Sequence, residues 1–370
     1  DVAHFLPWLR RVVALKREEA AALAEGGDPY DAALDDYEPG ASAATIAAMF
    51  ARMRPRLVAL RARLIEAHRS RPPLRGDFPA EGQLRLARKL AETFGYDFAR
   101  GRLDLAVHPF SSGSGSDVRI TTRTVETDPF NCLYSTIHEV GHAAYELNVD
   151  PALAFTPVGQ GASMGVHESQ SRSYENQIGR SRAFCGWLFG QMRAEFGDLG
   201  LADAESFYRT VNRVSEGWIR TEADEVNYNL HIMLRFDLER ALFAGELGVD
   251  DLEAAWNARF LADFGFAVDR PAHGMLQDVH WSIGIFGYFP TYTLGNVYAG
   301  CLFKALRADL PDLDAALAQG DTRPATDWMR ARVQRHGALN PPAQTVAQAC
   351  GFTPDEGPLL DYLEAKFSEL

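Results

Sequence analysis

The sequence predicts a mainly α-helical fold carrying one small β-hairpin, and three observations support this. Long stretches rich in Ala, Leu, Arg and Glu place apolar residues three and four apart, the spacing of one helix face. A single segment, 101–128, alternates apolar and polar residues about a Ser/Gly turn, the period of a strand pair. No internal repeat, low-complexity tract or linker interrupts the chain, so residues 1–370 read as one domain with room for helical subdomains flanking a groove.

In chain order, the periodicity predicts helices over roughly 2–25, 42–69, 81–94, 131–148, 166–179, 184–196, 202–215, 222–245, 250–264, 291–308, 322–336 and 357–369. Ser42 is placed to cap the second helix, since its hydroxyl can accept from an unpaired N–H of the first turn. Pro55 should kink or split that helix, because proline removes a donor and crowds the preceding turn. The hairpin of 101–128 ends just before the helix that opens near Asn131, so a small sheet is expected to wall a cleft beside it.

A formal charge of -13 and a pI near 5.3 argue against nucleic acid or an anionic membrane as the main partner, because both need a basic face. Peptides, other proteins and small molecules remain. Cys132, Cys185, Cys301 and Cys350 lie far apart without CxxC spacing, which fits a reducing, cytoplasmic setting better than a disulfide framework. No apolar run is long enough to span a membrane, and no signal-peptide order opens the chain. The chain starts at Asp1, without Met and already inside an amphipathic pattern, so an upstream part is expected to have been removed or never to have been present.

The stretch Ser135–Glu146, STIHEVGHAAYE, carries the chemistry. On a helix, residues i and i+4 share a face, so His138 and His142 can aim two imidazoles at one cation while Glu139 serves as general base. With ten histidines in the chain, HExxH arises by chance in roughly two per cent of sequences of this composition, so the third ligand has to decide. The extended HExxHxxGxxH form is absent, since position 145 is Tyr and position 148 is Asn. Glu146 continues the row, but eight residues of helix put it about 12 Å from His138. Glu168, in GVHESQSRSYENQIG, is the best candidate, completing a His-His-Glu set with one open position, as in catalytic zinc sites. His167 and Glu175 are rivals: His167 as a ligand, a hydrogen-bond support or a core histidine, Glu175 as the partner of an arginine such as Arg172.

With HEVGH at 138–142 and HESQ at 167–170, the sequence resembles the carboxypeptidase Taq family of zinc metallocarboxypeptidases. Four further family motifs follow that order: HPF at His108–Phe110, DxRxT at Asp117–Thr121, IRxxAD at Ile219–Asp224 and GxxQDxHW at Gly274–Trp281. The resemblance implies a helical, two-lobed groove like that of neurolysin and angiotensin-converting enzyme, with a small sheet beside the zinc helix. It also implies one Zn²⁺ per chain (Co²⁺ or Mn²⁺ as substitutes), a homodimer, and removal of C-terminal residues from peptides with broad specificity. Family members usually carry about a hundred further residues, a helical cap, before the point matching Asp1.

The chemistry of such a site, and for His280 and a following tyrosine the same resemblance, suggests further roles. His280 is expected to stabilise the developing oxyanion together with Tyr288 or Tyr292, which are four apart and stay undecided between that role and packing. Arg220 is expected to grip the substrate's free carboxylate, with Arg119 second; each has an acid nearby in sequence, Asp224 and Asp117, and a structural ion pair is the alternative. His108 is expected to support the cleft wall, and Gln277 and Asp278 to orient His280. Two other functions compete: an oligopeptidase cutting internally, and a truncated, inactive metal-binding scaffold. The survival of every proposed chemical group speaks against the second.

Overall fold

A computed structural model describes every residue except Ser70 and Pro72. The chain folds into two compact units, each with its own packed interior. The first comprises Asp1–Arg69, Val214–Leu294 and Leu363–Glu369; the second is the rest of the described chain. The helices Phe289–Asp309 and Gly357–Ser368 each carry the chain across that division.

The first unit is built on the helix Glu225–Ala244, buried along most of its length. Asp224 starts it, its carboxylate accepting from the backbone N–H groups of Val226 and Asn227, both at 3.0 Å. Around it pack Val2–Leu23, Ala43–His68 and Leu252–Phe264, with Tyr30, Phe50, Phe236 and Phe243 meeting edge to face. Ser42 caps the helix from Ala43 as expected, accepting from Thr45 N at 3.2 Å. That helix is not split at Pro55 and runs unbroken to His68. The short helix Pro29–Asp35 was not predicted from the periodicity, although Asp28 as cap and Pro29 in the first turn are ordinary start signals.

The second unit holds the helices Ala80–Thr93, Pro129–Asn148, Met164–Arg172, Arg182–Phe196 and Ala204–Val211, and three strands, β1 (Leu103–Leu105), β2 (Ser111–Ser114) and β3 (Asp117–Thr122). The expected hairpin is β2–β3, with Ser114 opposite Asp117 across the two residues Gly115 and Ser116. Gly115 has φ 63°, as the first central position of a II′ turn requires. The pattern did not reveal that β1 joins the far side of β3 in parallel, giving the order β1-β3-β2. Val118 and Ile120 of β3 are fully buried, and the Thr122 hydroxyl donates to Cys132 O at 2.9 Å, which seats the sheet on the helix Pro129–Asn148.

The helix expected over 166–179 is instead α-helical from Met164 to Arg172 and then π-helical from Ser173 to Ile178. The helices expected over 202–215, 222–245 and 322–336 are Ala204–Val211, Glu225–Ala244 and Arg323–Arg332, with 3₁₀ turns at Arg220–Glu222 and Gln334–His336 taking up part of the difference. Pro342–Cys350 is a further short helix that the pattern missed.

Candidate metal centre

The helix Pro129–Asn148 starts where its sequence says it should: Asp128 accepts from Phe130 N at 3.1 Å and Pro129 fills the first turn. His138 and His142 then project from one face, their rings 5.0 Å apart. Glu168 comes from the next helix, whose cap, Ser163, accepts from Val166 N at 3.0 Å. Two glycines permit the close approach. A Cβ on Gly141 would lie 2.5 Å from Ser171 Cα, and one on Gly295 would lie 2.5 Å from both Cβ and Cγ of Glu168. The second glycine lets the backbone of Phe289–Asp309 press Glu168 into position.

His138 Nε2 lies 3.6 Å and His142 Nε2 3.4 Å from Glu168 Oε2, and all three donors fall within 4.8 Å of one another. Donors about 2.1 Å from a tetrahedral ion sit roughly 3.4 Å apart, so the set fits one divalent cation. The outer atoms fit as well. His138 Nδ1 is 2.9 Å from Glu175 Oε2, and His142 Nδ1 is 2.8 Å from His167 Nδ1, which turns both Nε2 lone pairs inward. Arg172 Nε donates to Glu168 Oε1 at 2.6 Å, and Arg172 and Arg180 both donate to Glu175. Glu175, in the π-helical turn, reaches His138 as well as the arginine the sequence offered it.

Of the rivals, His167 is held between His142 and Glu146, with its Nε2 2.9 Å from Glu146 Oε1. It is not part of the three-residue donor group.

Burial works against charge on Glu168, yet Arg172, His138 and His142 hold its carboxyl well below the usual range. His138 shifts upward because Glu168 and Glu175 outweigh its burial. His142, where burial outweighs the hydrogen bond that a protonated ring would donate to Glu168 and where His138 and His167 add to the lowering, is brought down to about 4. Glu139, buried next to His138, is pushed up to about 7 by burial, against the pull of His138 and with Glu168 and Glu175 adding to the rise. A carboxyl poised there suits proton transfer near neutral pH.

The first unit gathers a different cluster. Asp278 lies between two buried arginines: its Oδ1 accepts from Arg220 Nε and Nη2 at 3.0 and 2.8 Å, and its Oδ2 from Arg235 Nε and Nη2 at 2.7 and 2.5 Å. Arg220 pairs with this residue and not with Asp224, which is occupied capping its helix. Arg220 Nη1 donates to the Tyr228 hydroxyl at 3.1 Å, and the guanidinium lies 4.9 Å above the Tyr292 ring. Gln277 accepts from Arg220 N at 2.9 Å and donates to the carbonyls of Trp218, His273 and Gly274. It therefore braces the backbone around Arg220, not His280 as expected. Asp278 Oδ1 is 4.0 Å from His280 Nδ1, beyond hydrogen-bond reach.

His280 meets Tyr292 instead, Nε2 to hydroxyl at 3.2 Å, and packs on Phe289. Burial, then Arg220, then Arg235 against the opposing Asp278, bring His280 down to about 4, so it is a neutral imidazole at pH 7. The Tyr288 and Tyr292 rings lie 5.0 Å apart, and Tyr288 also stands edge-on to Tyr37. Arg119 and His108 join neither cluster. Arg119 is exposed on β3 in a two-bond pair with Asp117, and His108 is exposed between β1 and β2.

The chain is similar in sequence and fold to known proteins. The sequence profile described as carboxypeptidase Taq (M32) metallopeptidase matches residues 1–367. The chain is 44% identical to thermostable carboxypeptidase 1 of Thermus thermophilus and 38% identical to carboxypeptidase 1 of Bacillus subtilis, in each case over all of this chain and 75% of the relative. The crystal structure of the M32 carboxypeptidase from Deinococcus radiodurans superposes with a TM-score of 0.94 at 42% identity, covering all of this chain and 75% of that one. With its three donors in place and this likeness running along its whole length, the chain belongs to the carboxypeptidase Taq (M32) family of metallocarboxypeptidases.

Proposed function

We propose that the chain removes the C-terminal residue of peptides with broad tolerance for the side chain, using one Zn²⁺ held by His138, His142 and Glu168. The observation that carries this reading is the convergence of three lone-pair donors, each braced from behind, next to the buried carboxyl of Glu139. When bound, such an ion supplies Lewis acidity toward water and the scissile carbonyl. Glu139 takes the proton of the attacking water on its carboxylate and delivers it to the leaving amine.

The roles expected of residues in the first unit belong to the same proposal. His280, neutral and hydrogen-bonded to Tyr292, donates to the developing oxyanion. Arg220 meets the substrate's free carboxylate; three of the five donors of its guanidinium go to Asp278 and Tyr228, which holds its plane fixed. Arg119 is the second candidate for that carboxylate, His108 supports the cleft wall, and Gln277 holds the backbone of Arg220. Co²⁺ or Mn²⁺ are accepted as substitutes. We also propose a cytoplasmic homodimer; among the described residues no helix is long and apolar enough to cross a membrane.

Digesting a peptide and its C-terminally amidated twin tests the reading. Loss of single residues from the free acid alone is the expected result. Equal cleavage of both would establish an internally cutting oligopeptidase, and full metal content with no hydrolysis of any peptide an inactive scaffold.

A further inference from the structure

We propose that His167 and Glu146 are positioning residues for the metal centre: a hydrogen-bonded relay that keeps the proton of His142 on Nδ1 and so presents its Nε2 lone pair to the cation. The inference rests on reading His138, His142 and Glu168 as a metal site. It gives a task to Glu146, a residue too far along the helix from His138 to share the ion.

The polarity of the relay follows from its far end. Two imidazole nitrogens 2.8 Å apart, as His142 Nδ1 and His167 Nδ1 are, need one donor and one acceptor. The carboxylate of Glu146 can only accept, and its Oε1 lies 2.9 Å from His167 Nε2 and 3.0 Å from Gly161 N. His167 therefore carries its proton on Nε2 and offers the Nδ1 lone pair. That lone pair takes the N–H of His142 Nδ1, and Nε2 of His142 is left bare. His138 needs no such intermediary, because Glu175 accepts from its Nδ1 directly.

The surroundings are shaped to hold this arrangement. A Cβ on Gly161 would come 2.6 Å from His167 Cδ2, so the backbone closes over the ring only because that residue is glycine. Tyr145 lies 5.1 Å from the His167 ring, and its hydroxyl accepts from Ala162 N at 3.1 Å, pinning the same loop. His142 and Glu146 are one helical turn apart on one helix, and His167 of the next helix spans them, so the relay ties the two ligand-bearing helices together.

The test measures Zn²⁺ affinity by competition with a fluorescent chelator in the wild type, Glu146→Gln, His167→Asn and His167→Leu. The amide of Glu146→Gln can present N–H to His167 and reverse the relay, and His167→Leu abolishes it. Both are expected to weaken Zn²⁺ binding about 10–100-fold. His167→Asn keeps an acceptor for His142 without reaching Glu146 and should fall between these and the wild type. In the zinc-loaded wild type, ¹⁵N spectra of the histidines should place the His167 proton on Nε2. A His167 proton on Nδ1 overturns the relay, as do Glu146→Gln and His167→Leu proteins that melt like the wild type and bind Zn²⁺ within twofold of it. If the variants unfold, the wild-type spectra still decide. A wild type that takes up no Zn²⁺ overturns the metal reading itself, whereas intact wild-type binding with unchanged variants overturns the relay alone.

Discussion

The two clusters of charged and polar side chains differ in what faces what. In the second unit, two imidazole nitrogens and a carboxylate oxygen point lone pairs at one another at 3.4 and 3.6 Å, while every cationic partner stands behind them. In the first unit, Asp278 sits between two guanidinium groups and the charges close on themselves. Converging acceptors are tolerable only with a cation among them, because desolvated lone pairs without a donor are costly. Closed pairs need nothing added. The first arrangement is built for a ligand and the second for rigidity, which makes the second a support for whatever Arg220 and His280 touch.

The largest expected effect comes from Glu139, which can be changed without disturbing either arrangement. Glu139→Gln should lower turnover by about 10²–10⁴-fold with Zn²⁺ content unchanged by elemental analysis. Substantial activity in this variant would remove the general base from the mechanism. Arg220→Gln tests the closed cluster next. It leaves Asp278 with Arg235 alone and should cost roughly 3 kcal/mol in urea unfolding, because a buried carboxylate loses half its compensation. It should also erase the preference for a free-acid peptide over its amide. A loss of stability with that preference intact would make Arg220 purely structural.

What the sequence revealed of these clusters depended on how local each interaction is. His138 and His142 were legible because helical spacing alone brings them together, and Glu168 because the pair needs a carboxylate from another segment and the next helical stretch offers one. The support from Glu175 was half legible. Its pairing with Arg172 follows helical proximity, but its contact with His138 crosses between two helices 37 residues apart, which the apolar pattern does not encode. Arg220 illustrates the limit: its nearest acid in sequence, Asp224, is consumed as a helix cap, and its actual partner is 58 residues away. No period of any kind selects a partner at that separation. The same holds for β1, whose parallel pairing with β3 is invisible to an alternation read one strand at a time.

A smaller effect sharpens how the converging site is held in place. Gly295 lets the backbone of Phe289–Asp309 approach Glu168, and the methyl group of Gly295→Ala would lie 2.5 Å from Glu168 Cβ. Glu168 or the helix backbone facing it must move by about 1 Å to restore ordinary contact, and Zn²⁺ affinity should fall at least tenfold, the scale of losing a supporting contact to a ligand. Unchanged affinity, read by the same chelator competition, would mean that the site tolerates movement of its carboxylate and is less rigid than its bracing suggests.

The last comparison is within the first unit, between two largely buried carboxyls, Asp278 and Glu239. Glu239 is fully buried and accepts from the Tyr30 hydroxyl at 2.8 Å, Trp281 Nε1 at 2.7 Å and Gly287 N at 3.0 Å, all of them neutral donors. Burial therefore prevails over these donors and raises it to about 7, whereas Arg235 and Arg220 overcome burial and hold Asp278 well below the carboxylate range. The two must shape stability with opposite signs. The stabilisation from Asp278 is present above the ordinary carboxylate range and is lost as the pH falls toward its depressed folded value. Between pH 4.5 and 7 an unfolded chain has released the proton of Glu239 while the folded protein retains it, so this group makes stability fall as pH rises, levelling off above 7. Glu239→Gln removes that slope. The stability gap between wild type and variant should narrow by up to about 3 kcal/mol from pH 4.5 to 7, measured by urea unfolding across that range. Parallel curves would show Glu239 ionised throughout and its three donors sufficient to replace water.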